Sequence, residues 1–404
     1  MGFAAVTEAL PLLNLRYVIC NRCHGYNTYN TFSFTIERAS ISDIRFTMRV
    51  LTVAIGSALL FAQSVSNADV LGKISLSIYG VSHVSADLNN DGDTQDPTVA
   101  SSSSRIGFRG GIDLNDDLSI VAQYENGLDL TARGKNDGNG GASSDARLFT
   151  MVRESFAGLR HKRFGELVAG RIAVLNQYVY DYNLFADQIG DLGNLWGNHR
   201  LFSRINGAIQ YTSQTFSGFD IRGVIAPGSG EGNGDVYMFT GHYGGRRVVV
   251  GIAYLNQGQA IEEIADHQSF AVTTRYISGN GKYSLGGGYQ REFNASSING
   301  NDFNSVTVGG SGRLGSGKFK IQLGWMDDGL IAGSGAVTWA AGYDYNFRKD
   351  TTIYLAYSGV SNDNTASVSA NNYGHGQAIS VAAGKDPWSI SIGLVYIFDV
   401  DLLP

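Results

Sequence analysis

Lys318-Phe319-Lys320-Ile321-Gln322-Leu323-Gly324-Trp325 alternates strictly: Phe319, Ile321, Leu323 and Trp325 are apolar, while Lys318, Lys320 and Gln322 between them are polar. Successive side chains of a strand point to opposite faces, so this segment builds one apolar and one polar face. The same period recurs along the chain. From Arg105 to Leu114, Ile106, Phe108, Gly110, Ile112 and Leu114 oppose Arg105, Gly107, Arg109, Gly111 and Asp113. From Arg204, the run Ile205, Gly207, Ile209, Tyr211 opposes Asn206, Ala208, Gln210 and Thr212. Near the end, Ile390, Ile392, Leu394, Tyr396 and Phe398 oppose Ser389, Ser391, Gly393 and Val395. Glu154 interrupts the pattern: if Arg153 points to the polar side, Glu154 points outward, toward a neighbouring subunit.

About sixteen such segments lie between Leu71 and Phe398, and about 330 residues then leave roughly 21 for each strand with its connection. That is enough for tilted strands of about ten residues, the length that crosses a bilayer. Short turns (Asn115-Asp116-Asp117, Gly244-Gly245, Gly315-Ser316-Gly317) alternate with polar loops expected near 86–103, 132–147, 174–202, 227–233, 258–266, 294–301, 329–334 and 362–387. A soluble sandwich needs a second apolar layer to cover its sheet; here the apolar face suits lipid and the polar face water. A closed barrel also leaves no backbone edge unsatisfied in a bilayer. The expected fold is all-β, a transmembrane antiparallel β-barrel.

Composition agrees. The chain has 53 Gly, roughly twice the usual share, and only 5 Pro, which would remove ladder hydrogen bonds. Met48-Arg49 opens an apolar run, Val50 to Ala62, that ends in Ser66-Asn67-Ala68. This is the pattern of a secretory signal. Residues 48–68 are therefore expected as signal peptide, 1–47 as a misannotated upstream extension, 69–398 as the barrel, and 399–404 as a short tail. Removing the 5 basic and 3 acidic residues of 1–68 from the chain's 30 and 36 leaves 25 and 33, a net charge of −8. Export argues against a cytosolic role, and acidity against nucleic-acid binding. Cys20 and Cys23 form Cys-x-x-Cys, but no second pair completes a zinc site, and both precede the expected cleavage point.

Several ordered stretches resemble the general porins of Gram-negative outer membranes: Ser104-Arg105-Ile106-Gly107-Phe108-Arg109-Gly110 with Gln123-Tyr124-Glu125; Arg153-Glu154-Ser155-Phe156-Ala157-Gly158-Leu159 with Ala169-Gly170-Arg171; Arg204-Ile205-Asn206-Gly207-Ala208-Ile209-Gln210-Tyr211; and Gly393-Leu394-Val395-Tyr396-Ile397-Phe398. The resemblance spans 69–398. It implies a trimeric, 16-stranded barrel whose third external loop folds inward and sets acids against wall arginines. On this chain the loop is 174–202, with Asp181, Asp187 and Asp191; the wall residues are Arg105, Arg153, Arg204 and, at a strand end, Arg171. Opposed charges across a water gap set size and charge selection. The chain departs from the family in loop three, which lacks Pro-Glu-Phe-Gly-Gly, near Val81, where a basic residue is common, and after Phe398, where the family usually stops.

Asp87-Leu88-Asn89-Asn90-Asp91-Gly92-Asp93-Thr94-Gln95-Asp96 resembles half of a calcium loop, but Thr98 stands where the closing Glu belongs. It reads as an acidic external loop. Neither a metal nor any cofactor is expected. The seven histidines, among them His83, His161, His199 and His242, show no metal or triad spacing, and Ser82 and His83 would face opposite ways. No enzyme is expected. Tyr178, Tyr180, Tyr182, Phe185 and Trp196 on the third loop read as wall packing rather than a sugar track.

The resemblance implies a passive channel for ions and small hydrophilic solutes, seated among outer-membrane lipids and lipopolysaccharide. A sugar- or anion-specific channel and a plugged barrel serving as adhesin or enzyme are the alternatives. Ion preference stays open. The chain is acidic and the wall basic, and within a Debye length of about 8–10 Å local charge outweighs the global balance.

Overall fold

The computed structural model describes residues 73–131, 149–174, 182–199, 201–230, 234–261, 263–376 and 378–403. The upstream extension and the signal, 1–68, lie outside these residues. The described residues contain seventeen strands, each antiparallel to its sheet neighbours. They are β1 (Ile74–Asn90), β2 (Gln95–Ser101), β3 (Arg105–Asp113), β4 (Leu118–Leu128), β5 (Phe149–His161) and β6 (Gly165–Ala173); then β7 (Arg204–Thr212), β8 (Phe219–Ala226), β9 (Val236–Gly244), β10 (Val248–Gln257), β11 (His267–Ile277) and β12 (Tyr283–Phe293); and β13 (Phe303–Leu314), β14 (Gly317–Met326), β15 (Ala336–Asn346), β16 (Thr351–Asn362) and β17 (Trp388–Leu403). β1 pairs with β17, from Leu76↔Leu403 to Asn90↔Trp388, and closes the barrel.

The barrel has sixteen staves because β2 and β3 lie end to end along β1. Val84↔Ser101 to Asn90↔Gln95 joins β1 to β2, and Ile74↔Ile112 to Val81↔Arg105 joins it to β3. The break falls at the buried serines Ser102, Ser103 and Ser104. Hydroxyls replace ladder bonds there: the His83 N–H donates to Ser104 Oγ, and Ser104 Oγ donates to His83 O.

Two expectations are corrected. The expected loop 86–103 is mostly the β1–β2 hairpin. Its calcium-like residues are divided: Asp87 and Asn89 are buried, whereas the Asp91 carboxylate accepts from the N–H groups of Asp93 and Thr94 in the turn. The expected tail 399–404 is instead the end of β17 through Leu403, with Asp399 opposite Tyr79.

Seven short connections lie at one end, as at Asn115, whose Oδ1 accepts from the N–H groups of Asp117 and Leu118. The long connections lie at the other. The burial is inverted relative to a soluble protein. Phe319, Ile321, Leu323 and Trp325 are 46%, 46%, 48% and 47% exposed, whereas Lys320 is 1% exposed. Each such apolar group leaving water for lipid contributes about 1.5–3 kcal/mol. That makes the outer face a lipid-facing band and the inner face the channel wall.

Candidate functional site

Loop 3, residues 174–203, is described at Val174 and from Tyr182 on except for residue 200, and its described part carries a short helix, α1 (Gly193–Trp196). It lies inside the barrel. Tyr182, Phe185, Ile189, Leu192, Leu195 and Trp196 are buried. Inward glycines of β12 to β15 receive Tyr182, Phe185, Leu195 and Trp196. A Cβ on Gly288 would sit 2.6 Å from Trp196 Cη2, and one on Gly286 2.5 Å from the Tyr182 ring. Only glycine leaves room for the rings. The expectation of wall packing holds for Tyr182, Phe185 and Trp196; Tyr178 and Tyr180 lie outside the described residues.

Polar contacts fix the loop's height. Gln290 Nε2 donates to Trp196 O at 2.9 Å. Lys320 Nζ donates to Gln188 Oε1 at 2.7 Å and lies 4.4 Å from the Phe185 ring centre. Glu292 stands between His199 (3.2 Å) and His267 (2.8 Å), tying the loop's exit to β11 and β12.

Loop 8, residues 363–387, also folds inward, which sequence reasoning missed. Val368, Ala370, Asn371 and His375 are buried. The Ala370 carbonyl accepts from Gly190 N–H at 3.0 Å and from Asn194 Nδ2 at 3.2 Å, both on loop 3. Asn371 Nδ2 donates to Asn89 Oδ1, and Ser103 Oγ donates to Gly374 O. Loop 8 therefore bridges the serine break and loop 3. It also brings His375 to Ser85 and Asp87 of β1, some 290 residues away in sequence. Both Ser85 Oγ (3.4 Å) and Asp87 Oδ2 (3.4 Å) contact His375 Nε2, and the His375 and Asp87 side chains are 0% exposed. A nucleophilic triad needs the acid on the other ring nitrogen and an open hydroxyl. This cluster holds a loop.

Opposite the anchored edge of loop 3 lies a cavity of about 430 Å³ on the wall of β3 to β8. Arg105, Arg153 and Arg204 line it together with Arg222. Glu125, Glu154 and Glu166 line it as well. Glu125 accepts from Arg153 Nε at 2.6 Å and is 3.8 Å from Arg105 Nε. A bulge explains Glu154. Tyr124 pairs with Ser155 and Asn126 with Val152, so Arg153 and Glu154 both stand opposite Glu125. Such an extra residue breaks the alternation. Glu154 thus faces the channel, not a neighbouring subunit: its Oε2 accepts from Gln123 Nε2, and its Oε1 from Ala173 N–H.

Arg171 is not with the other arginines. Glu166 and Ile172 line the cavity, so the intervening odd positions Leu167, Ala169 and Arg171 face outward. Arg171 Nε donates to Val152 O and its Nη1 to Asn206 Oδ1, beside the β7 bulge at Gly207, whose φ is +59°.

Of the loop acids, Asp187 meets the wall: its Oδ2 lies 3.6 Å from Arg105 Nη1. Asp191 does not. It is buried and accepts from Asn183 Nδ2, Asp187 N–H and Gly193 N–H. Burial, and then the Asp187 charge, push its carboxyl up to about 7. The bond from Asp187 N–H also holds Asp187 at φ +60°, a turn that leaves its carboxylate facing Arg105. Asp191 is a scaffold for Asp187. Asp181 lies outside the described residues.

Residues 50–365 match the sequence profile of the Gram-negative porins. The chain belongs to that family. A putative outer membrane porin protein NmpC of Escherichia coli K12 is 29% identical over 248 residues, covering 54% of this chain and 63% of that protein. The outer membrane porin OmpD of Salmonella typhimurium SL1344 is 27% identical over 241 residues, covering 55% and 59%. The matches thus span less than two thirds of these curated relatives. An anion-selective porin from Comamonas acidovorans has a similar fold, with TM-score 0.66 at 23% identity over 81% of this chain and 100% of that one. The outer-membrane expressed OmpT of Vibrio cholerae gives 0.58 at 17% identity, covering 82% and 99%. Family and fold place this porin in the Gram-negative outer membrane.

Proposed function

We propose that this porin is a passive diffusion channel for ions and small hydrophilic solutes. The observation that carries the reading is the approach of Asp187 on loop 3 to Arg105 on the wall, 3.6 Å apart in a polar lumen. In this reading the constriction is formed by Arg105, Arg153, Arg204 and Arg222 with Glu125, Glu154 and Asp187. Arginine keeps its proton at any physiological pH, so the transverse field persists. The aromatic rings of the described part of loop 3 are buried against the wall, which supports general diffusion over a sugar track.

The porin works as a homotrimer among outer-membrane lipids and lipopolysaccharide, after removal of 48–68 during export. The Ser85, Asp87 and His375 cluster lacks the arrangement of a nucleophilic triad, which supports a channel over an enzyme. Liposome swelling with sugars of rising size tests the channel, with uptake expected to fall steadily with solute size. Saturable flux of one sugar would instead indicate a specific channel, and near-zero conductance in planar bilayers a plugged barrel.

A further inference from the structure

Beneath loop 3, at the short-turn end, four cations converge on a cavity of about 740 Å³: Arg275 on β11, Lys282 just before β12, Arg313 on β13 and Lys318 on β14. A single acid, Asp344, lines the same space. It lies 2.9 Å from Lys320 and 3.7 Å from Lys318, so its charge is already shared. Among the described residues, Arg275, Lys282 and Arg313 have no carboxylate partner, and Arg275 Nε is buried without an acceptor.

The strand register makes the arrangement costly. Arg313 pairs directly with Lys318 across β13 and β14. Like charges directly opposite destabilise a strand pair. On the β3–β8 wall, by contrast, acids stand among the arginines: Glu125 at Arg153 and Arg105, Asp187 at Arg105, Glu154 in the same cavity, and Glu166 on Arg160. Of these two cavities, the one at the short-turn end thus holds the less compensated positive charge.

We propose that this vestibule binds multivalent oxyanions and gives the channel its preference for anions. The inference rests on the diffusion-channel reading. Guanidinium forks match planar or tetrahedral oxyanions, and lysines add point charge. A trivalent anion seated among the four would relieve the Arg313–Lys318 repulsion. A monovalent ion would be attracted but not held.

The test uses the full porin in planar bilayers, with tripolyphosphate added to the short-turn side. At 0.1 M KCl, chloride current should be blocked by tripolyphosphate at concentrations that leave it untouched by monovalent phosphate analogues. Block should weaken by about tenfold in Arg313→Gln/Lys318→Gln, and also in wild type at 1 M KCl, where screening shortens the field. The wild-type chloride-to-potassium permeability ratio should exceed unity. Block that is equal in the variant, or insensitive to anion valence in wild type, would overturn the site; a ratio below unity would overturn the anion preference. Either result with normal KCl conductance leaves the channel reading standing, whereas absent conductance refutes both.

Discussion

Glu125 is the wall residue whose charge does most to balance the arginines, so Glu125→Gln is the sharpest test of the constriction. The change keeps an acceptor for Arg153 Nε, 2.6 Å away, but removes the carboxylate that also faces Arg105 at 3.8 Å. The site gains one net positive charge with little change of shape. One unit charge acting on an ion about 5 Å away in water is worth ~0.8 kcal/mol, reduced to ~0.5 kcal/mol by screening at 0.1 M salt. The term favours chloride and opposes potassium, so the permeability ratio should rise about fivefold. At 1 M salt the Debye length is about 3 Å and the rise should shrink to less than about twofold. The assay is the reversal potential across a KCl gradient at both ionic strengths. An unchanged ratio at low salt would refute the assignment of Glu125 to the ion path. A change that persists at 1 M would show that the substitution reshaped the loop instead.

Trp196→Ala removes a fully buried ring seated on Gly288 and should cost loop 3 about 3–5 kcal/mol of anchoring. Single-channel conductance should rise and become noisier; conductance equal to wild type would count against the anchor. Excising 366–376 removes the carbonyl that accepts from Gly190 and Asn194, so larger sugars should enter in liposome swelling. Acid should tighten loop 3. The Asp191 carboxyl is raised in the folded protein to about 7 from 3.8, so its neutral form favours folding. Stability from this group is full below about pH 4, declines as pH rises through about 4–7, and is flat above. Protease protection of loop 3 measured from pH 4 to pH 8 should follow that decline, and a protection that grows toward pH 8 would reverse the sign.

The barrel was legible because lipid enforces one rule along each strand. Phe319 to Trp325 must face out, and a period of two needs no knowledge of partners. Loop 3 was legible only in outline. Its rings could be assigned to the wall, but the glycines that receive them, such as Gly286 and Gly288, lie about 100 residues away in sequence. Loop 8 gave no local signal at all. Its inward fold depends on Asn89, Ser103 and Asn194, three separate segments that meet only in the closed barrel. Arg222 could have been found, since Phe219 and Ile221 are exposed and Arg222 follows on the other face.

The site acids failed for a more specific reason. Alternation carries parity along a strand only until an extra residue is inserted. Between Tyr124↔Ser155 and Asn126↔Val152 the partner strand advances two residues and β5 three. Parity is lost there, and Arg153 and Glu154 become neighbours on one face. β7 makes the same slip between Ala208 and Ile205, while β6 opposite it stays regular, which is why Arg171 keeps its outward parity. Both bulges flank the arginine cavity. A regular sheet offers one inward side chain for every two residues, about 7 Å apart along a strand. Packing Arg153 beside Glu154, with Glu125 facing both, needs a closer spacing than that. The local irregularity that defeats pattern reading is therefore what supplies the charge density of the channel wall. Removing it by deleting Ser155 should set Glu154 opposite Tyr124 and face it to lipid, where an ionised carboxylate is costly. Such a deletion should impair assembly more than Glu154→Gln does, as read from the yield of folded barrel on semi-native gels.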